Sequence, residues 1–325
     1  MENCKVLITG GLGFIGSNLA IQCLKLGADV TILTKSLQNI KNIDGYKDKL
    51  EIIIGDITDH NVIENVIKNK EIIFHLAAQT SHITSMEKPI LDIDINLIGT
   101  INILESCKNN NKNAKIIMTG TVTQLGKAKK LPINENMKDI PLSIYETNKL
   151  ICEKYLQIYH QAYGMHTTMI RLATIFGERQ QLNNPRFGIT NYFIGRILNG
   201  EDIKVYGDGK FIRDYNYVGN VIDALILSAQ NENSKGEVFL LGSNRGIYFI
   251  DMVKEVIKAV EEITGKKGKF TLVDFPQEQS KIDVGDTLVD YSKIKEKIGW
   301  QPKVNFEEGI RKTISFYKNE FEEFI

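Results

Sequence analysis

A short apolar run, Lys5-Val6-Leu7-Ile8-Thr9, passes without a linker into Gly10-Gly11-Leu12-Gly13-Phe14-Ile15-Gly16. Behind the glycines, Phe14, Leu19, Ile21, Leu24 and Leu26 recur at helical spacing, with Ser17 and Asn18 near the helix start. The glycines satisfy two registers, Gly11-x-Gly13-x-x-Gly16 and Gly10-x-x-Gly13-x-x-Gly16. A strand, a glycine turn and a helix in this order suit a dinucleotide pyrophosphate. The turn lets phosphate approach without a Cβ in the way, and the helix N-terminus offers unpaired N–H groups and the positive end of its dipole. The glycine pattern alone is weak; the flanking strand and helix give it weight.

The rest of the chain repeats the alternation. Runs at 29–33, 50–54, 72–76, 115–118 and 167–172 read as strands, several apolar throughout, with helices at 89–108 and 143–163 between them. Such strands are buried on both faces, which predicts an α/β fold: a Rossmann-type, doubly wound parallel sheet. Beyond about residue 175 the pattern loosens into helices at 189–198, 218–229, 248–263, 291–298 and 306–317, separated by short strands at 203–206, 237–241 and 270–273. The expected organisation is a dinucleotide-binding domain over 1–175 and a smaller α/β C-terminal substrate lobe over 176–325, interleaved with the first. A ligand is expected in the cleft between them.

Charge narrows the partners. Forty Lys and Arg balance forty Asp and Glu in 325 residues, so no global field draws the chain to nucleic acid or an anionic membrane. No apolar run is long enough to span a bilayer, and the first strand starts at Lys5, so a cytoplasmic protein is expected. Cys4, Cys23, Cys107 and Cys152 are scattered and read as small buried groups in a reducing compartment. His75 reads as a packed strand residue, and His82, His160 and His166 lack metal-ligand spacing, so no metal site is expected. The acidic tail, 320–323, reads as a solvated helix end.

Three residues carry candidate chemistry. Tyr145 and Lys149 stand four apart, on one helical face. A neighbouring ammonium favours the phenolate and is expected to lower the Tyr145 pKa from its ordinary value of about 10. Thr121 follows the strand Ile116-Ile117-Met118, where a hydroxyl at a parallel strand's C-terminal end faces the ligand crevice.

Together these residues resemble the extended short-chain dehydrogenase/reductase family, in its nucleotide-sugar epimerase and dehydratase branch. The resemblance runs from Val6 to Tyr317. Its landmarks are the glycine turn, Gly55-Asp56-Ile57-Thr58-Asp59, His75-Leu76-Ala77-Ala78-Gln79, Asn96 with Gly99-Thr100, and the Tyr145–Lys149 pair. Arg171-Leu172 with Gly177, Tyr206-Gly207-Asp208-Gly209 with Arg213-Asp214, and Ile298-Gly299-Trp300-x-Pro302 complete it. The resemblance implies NAD as cofactor, with Gly10, Gly13 and Gly16 at its pyrophosphate, Phe14 and Ile15 opening the helix beneath it, and Asp56 with Ile57 at the adenine. Leu76, Ala77 and Ala78 then line the cofactor channel. Thr121, Tyr145 and Lys149 match the catalytic set, with Lys149 also on the nicotinamide ribose. The implied substrate is a nucleoside-diphosphate sugar, gripped by Arg213 at its diphosphate, with Tyr206 near the base and Ser85 near the sugar. Members pair through two long helices, which implies a homodimer with a four-helix bundle around 94–108 and 146–163.

The chain departs from that pattern at several places. Thr34-Lys35 stands where NAD-using members carry an acidic residue for the ribose, and a lysine there also suits a 2′-phosphate, so NADP stands beside NAD. Val122 and Thr123 occupy the positions where 4,6-dehydratases place an acid/base pair, which disfavours dehydration. Thr174, Phe176 and Asp283, with Lys281 nearby, alter further substrate positions. The implied reaction is epimerisation through a transient 4-keto sugar. A 4-dehydrogenase or 4-keto reductase with net redox is the alternative, and a non-catalytic nucleotide-binding scaffold a more distant one.

Overall fold

Val6 and Ile8 pack into one apolar layer and Leu7 into another, so the first strand is buried on both faces. The same division holds at Ile72 and Phe74 against Ile73, and at Ile117 against Ile116 and Met118. The computed structural model describes residues 1–186, 188–274, 284–321 and 324. Lys281, Asp283, Glu322 and Glu323 lie outside the described residues.

Strands β1 (Lys5–Thr9), β2 (Asp29–Thr34), β3 (Glu51–Ile54), β4 (Ile72–His75), β5 (Lys115–Thr121) and β6 (His166–Leu172) come from the first half of the chain. The second half adds β7 (Thr174–Phe176), β8 (Ile203–Tyr206), β9 (Ile212–Tyr217), β10 (Val238–Leu241), β11 (Gly246–Tyr248) and β12 (Phe270–Val273). The large sheet has seven strands in the order β10-β6-β5-β4-β1-β2-β3, all parallel. Strand order reverses between β1 and β4, and the C-terminal ends of those strands, Thr9 opposite His75, open a crevice there.

One face of the sheet is covered by α1 (Phe14–Lys25); the other by α2 (His60–Val66) and a chain of short helices. That chain is α3 (His82–Glu87), α4 (Pro89–Asp92), a π-helical stretch Ile93–Ile98 and α5 (Gly99–Asn110). The helix expected over 89–108 is thus divided by a wider turn. Within that turn Asn96 clamps the Gln79 backbone, accepting its N–H at 3.1 Å and donating to its C=O at 2.9 Å. Next in the chain are α6 (Ile144–Tyr163), α7 (Ile189–Leu198), α8 (Val218–Gln230) and α9 (Phe249–Thr264).

The C-terminal lobe has its own core of Phe193, Ile197, Val205, Tyr215, Val256, Ile310 and Tyr317. Strands β11-β9-β7 and β12-β8 make its two small sheets. Strands β7, β9 and β11 were not legible beforehand: Arg213-Asp214-Tyr215-Asn216 is too polar to signal a strand, yet Asp214, Tyr215 and Asn216 are all buried. A boundary after 175 does not separate the cores. Helix α8, strand β10 and the Ser292–Ile298 helix contribute Leu225, Phe239, Leu241, Ile294 and Ile298 to the layer that holds β1 and α1.

Candidate active site

The glycine turn is shaped by what surrounds it. Gly10 has φ +69°, and a Cβ there would lie 2.8 Å from the Ala77 nitrogen, so the turn and the chain leaving β4 are in backbone contact. A Cβ on Gly16 would run into the Gly10 carbonyl oxygen, so α1 packs directly on the turn. Gly13 differs: besides its chain neighbours and its own helix, a Cβ there would find only the Gly10 oxygen within 4 Å, at 3.1 Å, among the described residues. Gly13 N-caps α1 with no side-chain hydrogen bond, and the first turn carries no acidic residue. The Phe14 and Ile15 N–H groups therefore face an open cradle with no side chain capping them, which fits a pyrophosphate.

The crevice wall is fixed from behind by a buried imidazole. Thr100 donates its hydroxyl hydrogen to Asn96 O, so His75 Nε2 donates to Thr100 Oγ1 at 3.1 Å. Its Nδ1 then accepts from Thr9 Oγ1 at 2.8 Å, and Thr9 Oγ1 in turn receives the N–H groups of Leu76 and Ala77, each at 3.2 Å. Burial and the Lys149 charge push His75 down to about 3, so it is neutral. Leu76, Ala77 and Ala78 are half-buried along this wall.

At the end of β2, Thr34 is buried and donates to Ser36 O at 2.9 Å. Lys35 reaches across to Asp56, Nζ to Oδ2 at 2.8 Å, while Asp56 Oδ1 accepts the Thr58 N–H at 3.0 Å. The Lys35 charge is thereby matched by a carboxylate. The Ile57 side chain lies in the core against Gly99 and its carbonyl accepts from the Asn102 amide at 3.0 Å, so its N–H is the part left for a ligand.

Ser143 starts α6 through a capping box with Glu146, which presents Tyr145 and Lys149 on the first turns. Tyr145 is 7 % exposed; its phenol oxygen bonds no described residue and is not sealed from solvent. Lys149 is buried and donates from Nζ to the Thr119 carbonyl at 3.2 Å, tying α6 to the end of β5. The expected lowering of the Tyr145 pKa is not found. Burial, then the Asp92, Glu146 and Cys152 charges, push the phenol well above its usual range. The physical reason lies in the partners: the ammonium is held on Thr119, and burial pushes Lys149 itself down.

Thr121 is half-buried at the end of β5, where it caps the 3-10 turn Val122–Leu125. Its Oγ1 accepts the Thr123 N–H at 3.2 Å and lies 2.9 Å from Thr123 Oγ1. Val122 is buried in an apolar cluster with Leu125 and Val289, away from any proton-transfer role. Ser85 lies beneath the start of α6. It is fully buried, donates to His82 O at 2.7 Å and accepts the Tyr145 N–H at 3.1 Å, so it holds the backbone under Tyr145.

Arg213 and Tyr206 lie on strands β9 and β8 of the C-terminal lobe. Arg213, on β9, donates to the Ile212 and Gly285 carbonyls and lies 4.5 Å from the Phe211 ring centroid. Tyr206 ends β8 and is exposed. Strand β9 runs parallel to β7, which continues from the C-terminal end of β6, so the large sheet and this lobe are joined at the crevice side.

Three residues had no place at the site in the sequence reading: Asp92, His82 and Glu146. Asp92 is wholly buried between the Asn148 amide at 2.7 Å and the Gln79 amide at 2.6 Å. His82 begins α3 with its ring edge-on to Tyr145, centroids 4.9 Å apart. The Ser143-x-x-Glu146 spacing could have identified Glu146 as a cap. Nothing local in the sequence joins His82 to it.

The family model for GDP-mannose 4,6 dehydratase matches residues 7–313. A UDP-N-acetyl-alpha-D-glucosaminuronate decarboxylase from Bacillus cytotoxicus is 31% identical over 322 residues, covering 97% of this chain and 98% of its own. The UDP-glucose 4-epimerase of Thermotoga maritima, solved with UDP-glucose, superposes with a TM-score of 0.87 at 30% identity, covering 97% of this chain and 99% of its own. The Thermus thermophilus UDP-glucose 4-epimerase, solved with NAD, gives 0.85 at 28% identity, with 97% and 99% covered.

Proposed function

Because the chain belongs to the GDP-mannose 4,6-dehydratase family of extended short-chain dehydrogenases/reductases, we propose that it is an NAD-dependent nucleotide-sugar epimerase acting through a transient 4-keto sugar. When bound, NAD supplies reversible hydride transfer. The Gly10–Gly13 turn and the Phe14 and Ile15 N–H groups hold its pyrophosphate, and Asp56 with the Ile57 N–H meets the adenine. Leu76, Ala77 and Ala78 line the channel. The Lys35–Asp56 pair favours NAD, since it leaves no net cation for a 2′-phosphate.

Tyr145 takes the proton from the sugar C4 hydroxyl and later returns it to the 4-keto oxygen. Lys149 fixes the nicotinamide ribose, and Thr121 orients the hydroxyl. Arg213 holds the diphosphate and Tyr206 the base. The observation that carries this reading is Tyr145 itself, a nearly buried residue whose phenol oxygen bonds no described residue and whose helix is tied through Lys149 to the end of β5. One acid/base group suffices for inversion by oxidation, turning of the keto sugar and reduction. That agrees with the apolar burial of Val122.

The relative that is a decarboxylase supports a second reading, in which the same C4 oxidation precedes loss of CO₂ from a nucleotide-linked uronic acid. Incubation with UDP-glucose, UDP-N-acetylglucosamine and UDP-glucuronate, followed by proton NMR, separates these. C4 epimers formed without net NADH support epimerisation; stoichiometric NADH identifies a dehydrogenase, and a pentose product the decarboxylase.

A homodimer through α5 and α6 is part of the proposal. It is supported by exposed Ile98, Ile158 and Tyr163 on and beside those helices. Four thiols without disulfide partners accord with a reducing, cytoplasmic setting. Among the described residues no helix is long and apolar enough to cross a membrane.

A further inference from the structure

Gln124 places a wholly buried amide against the C-terminal end of β5, with a partner at each end. Its Oε1 accepts the Thr121 N–H at 3.0 Å, and its Nε2 donates to Glu153 Oε2 at 3.3 Å. Those partners fix which way the amide points. The Thr121 N–H only donates, and both Glu153 oxygens already receive Arg171, from Nε at 2.6 Å and from Nη2 at 2.7 Å. Arg171 also forks onto Asp139, with Nη1 at 2.5 Å and Nη2 at 2.9 Å. Arg171 and Glu153 are both buried, so charge-assisted bonds hold the Glu153 end of the amide in place. Gly120 gives an independent sign of this packing. A Cβ there would lie 2.6 Å from Gln124 Oε1, so the amide rests on bare backbone one residue before Thr121. Glu153 stands on α6 one turn beyond Lys149, which itself donates to the Thr119 carbonyl. The end of β5 is thus tied to α6 on both sides of Gly120.

We propose that Gln124 is a positioning residue for Thr121: through Glu153 it sets the strand end that carries the Thr121 hydroxyl against the helix that carries Tyr145 and Lys149. This rests on the role proposed above for Thr121 in orienting the sugar hydroxyl. Thr121 Oγ1 accepts the Thr123 N–H, so its direction follows the backbone of the Val122–Leu125 turn, and Gln124 fixes that backbone where the turn begins. Without the amide the Thr121 N–H loses its partner, and the hydroxyl moves with the turn away from the reacting atoms.

The test is a double-mutant cycle in the full-length protein with UDP-glucose. Gln124→Met keeps the bulk of the side chain, removes both hydrogen bonds and leaves Glu153 on Arg171. Its kcat falls about tenfold, while KM and NAD affinity stay within about twofold. Thr121→Ala removes the hydroxyl, and adding Gln124→Met to it costs no further kcat. Gly120→Ala pushes the amide off the strand and lowers kcat in the same way; it carries the cycle should Gln124→Met fail to fold. Hydrogen exchange at the Thr121 amide, followed by NMR with no substrate present, reads the tie itself: it quickens about tenfold in Gln124→Met, with the Ile117 and Met118 amides unchanged. Equal losses in the wild-type and Thr121→Ala backgrounds, an unchanged kcat in Gln124→Met, or an unmoved Thr121 exchange rate would each overturn the proposal. Absence of turnover in the wild type would count against C4 oxidation of UDP-glucose, while the exchange rate, which needs no substrate, still decides whether Gln124 holds Thr121.

Discussion

At Tyr145 two requirements compete. Burial raises the phenol's pKa, which suits returning a proton, while abstraction needs an adjacent positive charge. Tyr145→Phe is therefore expected to lower kcat by about 10²–10⁴-fold with dinucleotide affinity retained, read by turnover and by equilibrium dialysis with NAD. His75 supplies a stability prediction. Its folded pKa, about 3, lies below the ordinary value of about 6.5, so the folded state excludes a proton that the unfolded chain accepts. Its contribution is complete above about pH 6.5 and is lost progressively as pH falls toward 3. Replacing His75 by Gln should flatten the fall of the urea midpoint across that window; an unchanged slope would place the effect elsewhere.

Among the elements, α1 and α6 were the most legible, because each announces itself locally. The glycine run fixed the start of α1, and Tyr145 with Lys149 fixed one face of α6. The support that Ser85 gives was not legible, because its neighbourhood depends on α6, 60 residues further along the chain, where the Tyr145 N–H claims its hydroxyl. The polarity that hid β9 has the same origin: buried Asp214 accepts the Ser243 and Asn244 N–H groups at 2.7 and 3.1 Å and the Val289 N–H at 3.0 Å, partners that no local pattern announces. Two substitutions test the elements themselves. Gly16→Ala places a methyl group against the Gly10 carbonyl and should abolish retention of dinucleotide by spreading α1 from the turn. Ser143→Ala removes the N-cap of α6 at a cost of about 1 kcal/mol, visible as a lowered thermal midpoint.

For the whole molecule, the first half and the second are joined through one sheet. The chain up to residue 175 lacks α8, β10 and the Ser292–Ile298 helix, leaving Val6, Ile8 and Leu19 without their cover. Expressed alone, that fragment should not give a cooperative denaturant transition, whereas the full chain should. The position of β10 also has a consequence for biosynthesis. Until Val238–Leu241 has been translated, β6 is an open sheet margin, with backbone groups ready to pair with any extended strand nearby. Through that interval the growing polypeptide is most exposed to self-association, so holdase chaperones should engage it there and let go once the late strand docks.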